Sequence, residues 1–188
     1  MKMKNHPNFI RFLITMSRRD SPRTRSFCKD LSYALPSAIK VNRGKKSIND
    51  VHMLALQSKC DRVIIVNTFM GNPGLLTFYS VGREHLNLLN PRLRLLGVKL
   101  TFEIRDAKRV RVNDIIVHCS NDNALGAANY LSSLFNCRLY LSKENDYGKL
   151  SEDFSIINVE HLEKDIFVIH FTSASGHIIG PVMKVKFI

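Results

Sequence analysis

The sequence predicts an α/β (α+β) fold built from two similar halves that follow one another along the chain. Short apolar runs rich in β-branched residues, such as RVIIVNT at 62–68, predict buried strands. Apolar residues at helical spacing between these runs predict helices that pack on the sheet. The order strand, polar loop, helix and strand occurs at 9–42 and again at 115–141, about 100 residues later. We therefore predict an internal structural duplication, and the alternative is a chance likeness between two short segments.

Capping residues place the starts of the first two predicted helices. Ser21-Pro22 predicts a helix start, because serine is a good N-cap and proline suits the first helical turn. Pro36 ends this helix. Ser47 and Asp50 have the spacing of a capping box, which predicts that a second helix begins there.

The remaining elements follow from apolar runs and turn residues. A third helix is predicted at 124–135, and Gly71-Asn72-Pro73-Gly74 predicts a turn. Residues 83–97 give no clear pattern. The predicted strands are 9–16, 38–42, 62–68, 75–81, 98–105, 115–120, 137–141, 154–160, 166–172 and 181–187.

The positive charge of the chain is concentrated at one end. The net charge is +12 and the sequence pI is about 9.8. Residues 1–46 carry twelve Lys and Arg against two acids, whereas residues 112–188 carry six against nine. A protein that is basic but has no polyanionic partner would not need its positive charge concentrated in one segment. A local excess of cations indicates a binding face for a polyanion, either nucleic acid or an anionic membrane.

Several classes of site have no pattern in the sequence. The four cysteines form no C-x-x-C pair and no zinc-ligand spacing, so we predict free thiols, no metal and no cofactor. No apolar run approaches the ~20 residues that cross a bilayer, and no signal peptide is indicated, so we expect a cytoplasmic protein with no membrane partner. No catalytic motif or cluster of acids lies near the basic segment. We therefore predict that the chain is not an enzyme, has no catalytic residue and acts on no small-molecule substrate.

The segment SRRDSPRTR places four arginines around the start of the first helix. Arg18 and Arg19 precede the helix, while Arg23 and Arg25 lie in its first turn, with only Asp20 among them. A helix N-terminus carries the positive end of the helix dipole, so cations there are unfavourable unless an anion is bound. Backbone N–H groups and arginine side chains together suit a phosphate group. The alternative is that these arginines pair with carboxylates elsewhere in the fold.

A second basic loop, Arg43-Gly44-Lys45-Lys46, repeats this arrangement before Ser47. If the preceding strands are parallel neighbours, both loops leave the sheet at its carboxyl edge, where open α/β sheets bind ligands. The loop departs from the P-loop pattern, because Lys46 separates the Gly-Lys pair from Ser47. A polynucleotide backbone is therefore a better partner than a nucleotide. A third cluster either extends this track or is a solvated connection; it consists of Arg105, Lys108, Arg109 and Arg111.

Three blocks within residues 13–74 carry a resemblance to a known family. They are TMSRRDSPRTRSFCKDLSYALP, IKVNRGKKSI and DRVIIVNTFMGNPG. In this order they resemble the Brix domain family in its short archaeal form. The resemblance implies a single Brix domain over 1–188, with a basic half at 1–105 and a more acidic half at 106–188. It also implies that each half is similar to the anticodon-binding domain of class II aminoacyl-tRNA synthetases.

The resemblance implies binding to rRNA or pre-rRNA in ribosome biogenesis, with ribosomal or assembly-factor proteins as further partners. The residues assigned to RNA binding by the motifs and the charge pattern are Arg18, Arg19, Ser21, Arg23, Arg25, Asn42, Arg43, Gly44, Lys45, Lys46, Gly71, Asn72 and Gly74. Three other functions remain open from the residues alone. They are a tRNA-binding accessory protein, a Mg²⁺-dependent ribonuclease acting on precursor rRNA, and a scaffold for a ribosomal protein.

Overall fold

The computed structural model describes residues 10–142 and 150–188, which form one sheet with three helices and two short 3₁₀ turns. The helices are α1 (Pro22–Ala34), α2 (Ile48–Gln57) and α3 (Leu125–Phe135). The strands are β1 (Phe12–Met16), β2 (Ile39–Lys40), β3 (Arg62–Phe69), β4 (Asn72–Val81), β5 (Leu86–Lys99), β6 (Asp114–Cys119), β7 (Arg138–Leu141), β8 (Phe154–Glu163), β9 (Ile166–Thr172) and β10 (Val182–Phe187). The 3₁₀ turns are Thr101–Glu103 and Asp122–Ala124.

The sheet is mixed, and its order is β2-β1-β3-β4-β5-β10-β9-β8-β6-β7. Strand β1 is parallel to β2 and β3, and β6 is parallel to β7 and β8, while the other pairs are antiparallel. The order of the first five strands therefore recurs in the last five, and β5 pairs with β10 where the two sets meet. Within residues 10–142 and 150–188, no helix is long and apolar enough to cross a membrane.

The helices bury apolar side chains on both faces of this sheet. On one face, α1 and α3 contribute to a large core that also contains Phe12 and Phe78. On the other face, Val51 and Ala55 of α2 pack with Val63 of β3. Strand β3 is therefore covered on both faces, as its continuous apolar run predicts.

Both predicted helix starts are confirmed. Ser21 is the N-cap of α1, with Pro22 at the first helical position. Ser47 and Asp50 form the predicted capping box at the start of α2. Both helices therefore begin where their capping residues predict.

The strand predicted at 98–105 is wrong, because β5 begins at Leu86 and ends at Lys99. A 3₁₀ turn follows, in which carboxylates bind the backbone donors. The Leu100 N–H donates to Glu103 and the Thr101 N–H donates to Asp30, each at 2.8 Å. These bonds replace the hydrogen bonds that a continuing strand would make.

The turn between β3 and β4 is shorter and lies earlier than predicted. Met70 and Gly71 have φ values of 46° and 77°, as in the two-residue turns that favour hairpins. Strand β4 already starts at Asn72, and a shift in register leaves Gly74 unpaired as a bulge. A Cβ atom at Gly74 would lie 2.5 Å from the Cβ atom of Phe69, so only glycine fits at this bulge.

Candidate nucleic-acid interface

The two basic loops leave the sheet side by side. Leu13 and Ile14 of β1 pair in parallel with Ile39 and Lys40 of β2. The Val41 N–H continues this pairing with a bond to the Ile14 carbonyl at 2.9 Å. The carboxyl ends of both strands therefore lie at one edge of the sheet. We call Arg18, Arg19, Arg43 and Lys45 on the loops at this edge the basic edge.

Arg18 and Arg19 are exposed at the end of β1. Among the described residues, neither guanidinium has a hydrogen bond or an ion pair. The positive charge of Arg18 acts on one residue of the second loop and on one residue of α2. Burial is the main cause that lowers the pKa of Arg43, and the charge of Arg18 lowers it further. Hydrogen bonds from Ser47 are the main cause that lowers the pKa of Asp50, and the charge of Arg18 makes a smaller contribution. Cations from both loops thus act on one region of the surface.

The second loop is a tight turn held by its own arginine. Arg43 is buried, and its Nε donates to the Lys46 carbonyl at 2.8 Å. The Lys46 N–H donates back to the Arg43 carbonyl at 3.1 Å. Gly44 has a φ of 52°, which favours glycine, and Lys45 is exposed beside it. The turn therefore presents Lys45 to solvent, and Arg43 holds the loop in shape.

The other two arginines of the first segment pair with carboxylates, which is the alternative left open by the sequence. Both terminal nitrogens of Arg23 donate to Glu103, and one also donates to the Val98 carbonyl at 3.0 Å. The hydrogen bond from Arg23 lowers the pKa of Glu103. Arg25 forms a bidentate pair with Asp20 at 2.8 and 2.9 Å, which lowers the pKa of that carboxyl in the same way.

We expect Arg23→Ala to lower the free energy of unfolding by about 1 kcal/mol, because the bidentate pair is only partly exposed. Urea unfolding followed by circular dichroism measures this loss. Arg25→Ala is the matched control, since its more exposed pair with Asp20 lies within one segment and should matter less. A native stability in Arg23→Ala would show that the contact of Arg23 with Glu103 adds nothing to the fold.

The remaining candidates mostly hold the edge together. The Ser21 hydroxyl accepts from the Thr24 N–H at 3.0 Å and donates to the Gly71 carbonyl at 2.6 Å. This bond ties the β3–β4 turn to the start of α1. Asn72 Nδ2 donates to the Met70 carbonyl at 3.1 Å within that turn. Asn42 Oδ1 accepts from Lys40 at 3.0 Å.

Two arginines of the third basic cluster make contacts within the fold. Arg109 donates to the buried carboxylate of Asp30 at 2.7 Å. The Arg111 guanidinium lies 5.1 Å from the centre of the Tyr33 ring, within range of a cation–π contact. This part of the cluster connects the segment after β5 to α1 and does not extend the basic edge.

Sequence reasoning missed the tip of the β3–β4 hairpin and two arginines of β5. Phe69 and Met70 are exposed at the tip, although both are large and apolar. Arg92 and Arg94 are exposed on β5, in the segment whose pattern was unclear. The sequence signal that could have predicted this exposed tip is the apolar pair Phe69 and Met70 directly before Gly71.

Sequence comparison finds relatives that are described as ribosomal biogenesis proteins. The chain is 41% identical over 92 residues to a probable Brix domain-containing ribosomal biogenesis protein of Thermococcus kodakarensis. It is 35% identical over 125 residues, 64% of this chain and 62% of the relative, to a protein of the same description from Methanopyrus kandleri. The chain is therefore similar in sequence to archaeal proteins described as Brix domain-containing. No family model matches it.

Two solved structures extend the likeness to nearly the whole chain. A probable ribosomal biogenesis protein from Aeropyrum pernix K1 superposes with a TM-score of 0.79 at 28% identity, covering 94% of this chain and 96% of the other. An archaeal Imp4-like protein superposes with a TM-score of 0.66 at 21% identity, covering 93% and 96%, and shows a shared fold. The sequence match is shorter, since it spans 49% of this chain and 44% of the Thermococcus protein.

Proposed function

We propose that this protein binds rRNA or its precursor through phosphate contacts at the basic edge and serves ribosome assembly without making or breaking a bond. One observation carries the proposal. Arg18 and Arg19 are exposed on the loop after β1, next to the basic loop after β2, and neither has a partner among the described residues. Cations held together in this way favour a polyanion, which releases its counterions when it binds. The relatives named as ribosomal biogenesis proteins point to rRNA as that polyanion.

The start of α1 supports the same contact. The first turn of α1 contains no acidic residue, so the positive end of its dipole is not neutralised by its own helix. Arg18 and Arg19 lie directly before this turn. Phosphate contacts of this kind position a protein on RNA without selecting its sequence. Within this proposal Arg18, Arg19 and Lys45 contact phosphate, whereas Arg23, Ser21 and Gly74 shape the edge.

The two halves of the chain would have different partners. The recurrent strand order supports a duplicated architecture within one Brix domain, in which the half at 1–105 holds RNA. The half at 106–188 has more acids than bases and suits a basic ribosomal or assembly-factor protein. The proposed place of action is the cytoplasm.

The proposal is tested by the affinity for rRNA fragments as a function of salt. We expect Arg18→Ala/Arg19→Ala to bind about tenfold more weakly and to lose about 1 to 2 units of the log–log salt slope, because two phosphate contacts are removed. The control Arg138→Ala/Lys164→Ala removes the same charge from the other half and should keep the native slope. Equal slopes in all three proteins would refute the basic edge. Stronger binding to tRNA than to rRNA in competition would assign the edge to tRNA instead.

A further inference from the structure

The tip of the β3–β4 hairpin exposes two large apolar side chains. Phe69 is 66% exposed and Met70 is 84% exposed. Single exposed apolar residues are common on protein surfaces, but two adjoining ones at the tip of a fixed turn form a contact surface. The chain has no tryptophan, so any stacking platform must be phenylalanine, tyrosine or arginine.

The fold holds this tip in place. The hydroxyl of Ser21 donates to the Gly71 carbonyl at 2.6 Å, and Thr24 and Thr68 share a hydroxyl hydrogen bond at 2.9 Å. Both contacts join the hairpin to the first turn of α1. The bulge at Gly74 gives Phe69 its space. The ring is therefore presented at the end of a hairpin that is fastened to the helix start beside the basic edge.

A shallow apolar groove runs from this tip to β5. It is lined by Phe69, Met70, Gly74, Leu95, Leu96 and Val98. An adjoining groove continues past Phe69 to Arg92 and Arg94.

The cations beyond this groove favour an anionic occupant. Arg94 is paired in register with Lys186 on β10, and Lys186 itself forms an ion pair with Asp165 at 3.1 Å. Among the described residues, the side chains of Arg92 and Arg94 have no ion pair. The arginines of β5 thus lie at one end of the grooves, and at the other end the bond from Ser21 to Gly71 joins the hairpin tip to the helix start that follows Arg18 and Arg19.

We infer that Phe69 is a stacking platform for an unpaired base of the bound RNA, whose flanking phosphates contact Arg18 and Arg19. The inference rests on the proposed function and adds the substrate class, which is RNA with a single-stranded segment. An aromatic ring between cations fits a base between phosphates, since bases stack on aromatic side chains and the backbone follows the positive charge. An apolar protein helix would match the groove but not the cations that border it.

The test compares Phe69→Ala with the native protein on a short unstructured RNA oligonucleotide. We expect the affinity to fall about tenfold, because stacking on one base is lost, while the salt slope stays native because no cation is removed. Phe69→Tyr should bind like the native protein. Phe102→Ala is the matched control, since Phe102 is 68% exposed and does not line the groove. It should keep native affinity.

A second variant reports on the ring directly. Phe69→Trp would carry the chain's single tryptophan, and a base stacked on it should quench its fluorescence. An oligonucleotide without bases should bind through its phosphates and leave the fluorescence unchanged. Quenching only by the oligonucleotide that carries bases would support the stacking platform at Phe69. Equal quenching by the two oligonucleotides would overturn it.

The outcomes separate this inference from the function on which it rests. If Arg18→Ala/Arg19→Ala loses affinity and slope while Phe69→Ala binds like the native protein, the stacking platform is wrong and the phosphate site stands. If Phe102→Ala loses as much as Phe69→Ala, the loss is not specific to the groove and the inference fails. If the native protein binds no RNA, the proposed function fails and the platform with it.

Discussion

Replacement of Phe135 by alanine is expected to lower the free energy of unfolding by about 3–5 kcal/mol, since a large buried ring is lost and leaves a cavity. This is a large part of the ~5–15 kcal/mol that stabilises a typical domain. Phe135 is the last residue of α3, and its buried ring contacts three other phenylalanines. The ring centres lie 5.2 Å from Phe78, 6.1 Å from Phe12 and 6.4 Å from Phe171.

These contacts join the two sets of strands. Phe12 and Phe78 lie on β1 and β4, whereas Phe171 lies on β9. The ring therefore connects the first five strands with the last five through α3. We expect the native chain to unfold in a single transition, and Phe135→Ala to shift that transition to lower denaturant.

Urea unfolding followed by circular dichroism measures the effect. Phe135→Leu is the matched control, because it keeps an apolar side chain in the cavity and should lose clearly less stability. A loss below about 1 kcal/mol for Phe135→Ala would contradict the role of the ring. A native protein that already unfolds in two separate transitions would contradict the coupling between the two sets of strands.

The sequence predicted the elements whose signals are local. The starts of α1 and α2 follow from Ser21-Pro22 and from the capping box of Ser47 and Asp50, which act within a few residues. Strand β5 was missed because its pattern depends on partners distant in the sequence. Its exposed residues and Pro91 weaken any alternating pattern, and its pairing with β4 and β10 makes it a strand.

The same distinction applies to the candidate interface. The position of Arg18 and Arg19 before α1 follows from the order of residues alone. The fate of Arg23 does not, since its partner Glu103 lies 80 residues away. Charge counting treats all four arginines alike, and only the fold separates those with carboxylate partners from those that remain exposed. The exposed tip at Phe69 depends on the bulge at Gly74, whereas the sequence predicts Gly74 as part of the turn.

A buried ion pair fastens the segment between β5 and β6 to α1. Asp30 is fully buried, and its two oxygens accept from the Arg109 Nε at 2.7 Å and from the Thr101 N–H at 2.8 Å. The two partners lie 71 and 79 residues away along the chain. The Asp30 carboxylate therefore provides the acceptor for the Thr101 N–H and the counter-ion for Arg109.

Asp30→Ala is expected to lower the free energy of unfolding by about 3 kcal/mol, at the lower end of the cost of breaking a buried ion pair. Arg109 is partly exposed and can turn to solvent, which limits the loss, but the Thr101 N–H stays without an acceptor. Asp30→Asn keeps one acceptor and should lose less. The matched control is Asp106→Asn, which removes the charge of an 86% exposed carboxylate from the same segment and keeps a residue that tolerates the φ of 61° there, and it should change stability by less than about 0.5 kcal/mol. Urea unfolding of the variants measures these differences. If Asp30→Ala were as stable as Asp106→Asn, the contact with Arg109 would not hold the segment. The double variant Asp30→Ala/Arg109→Ala should lose less free energy of unfolding than the sum of the two single losses, because either change alone already breaks the ion pair.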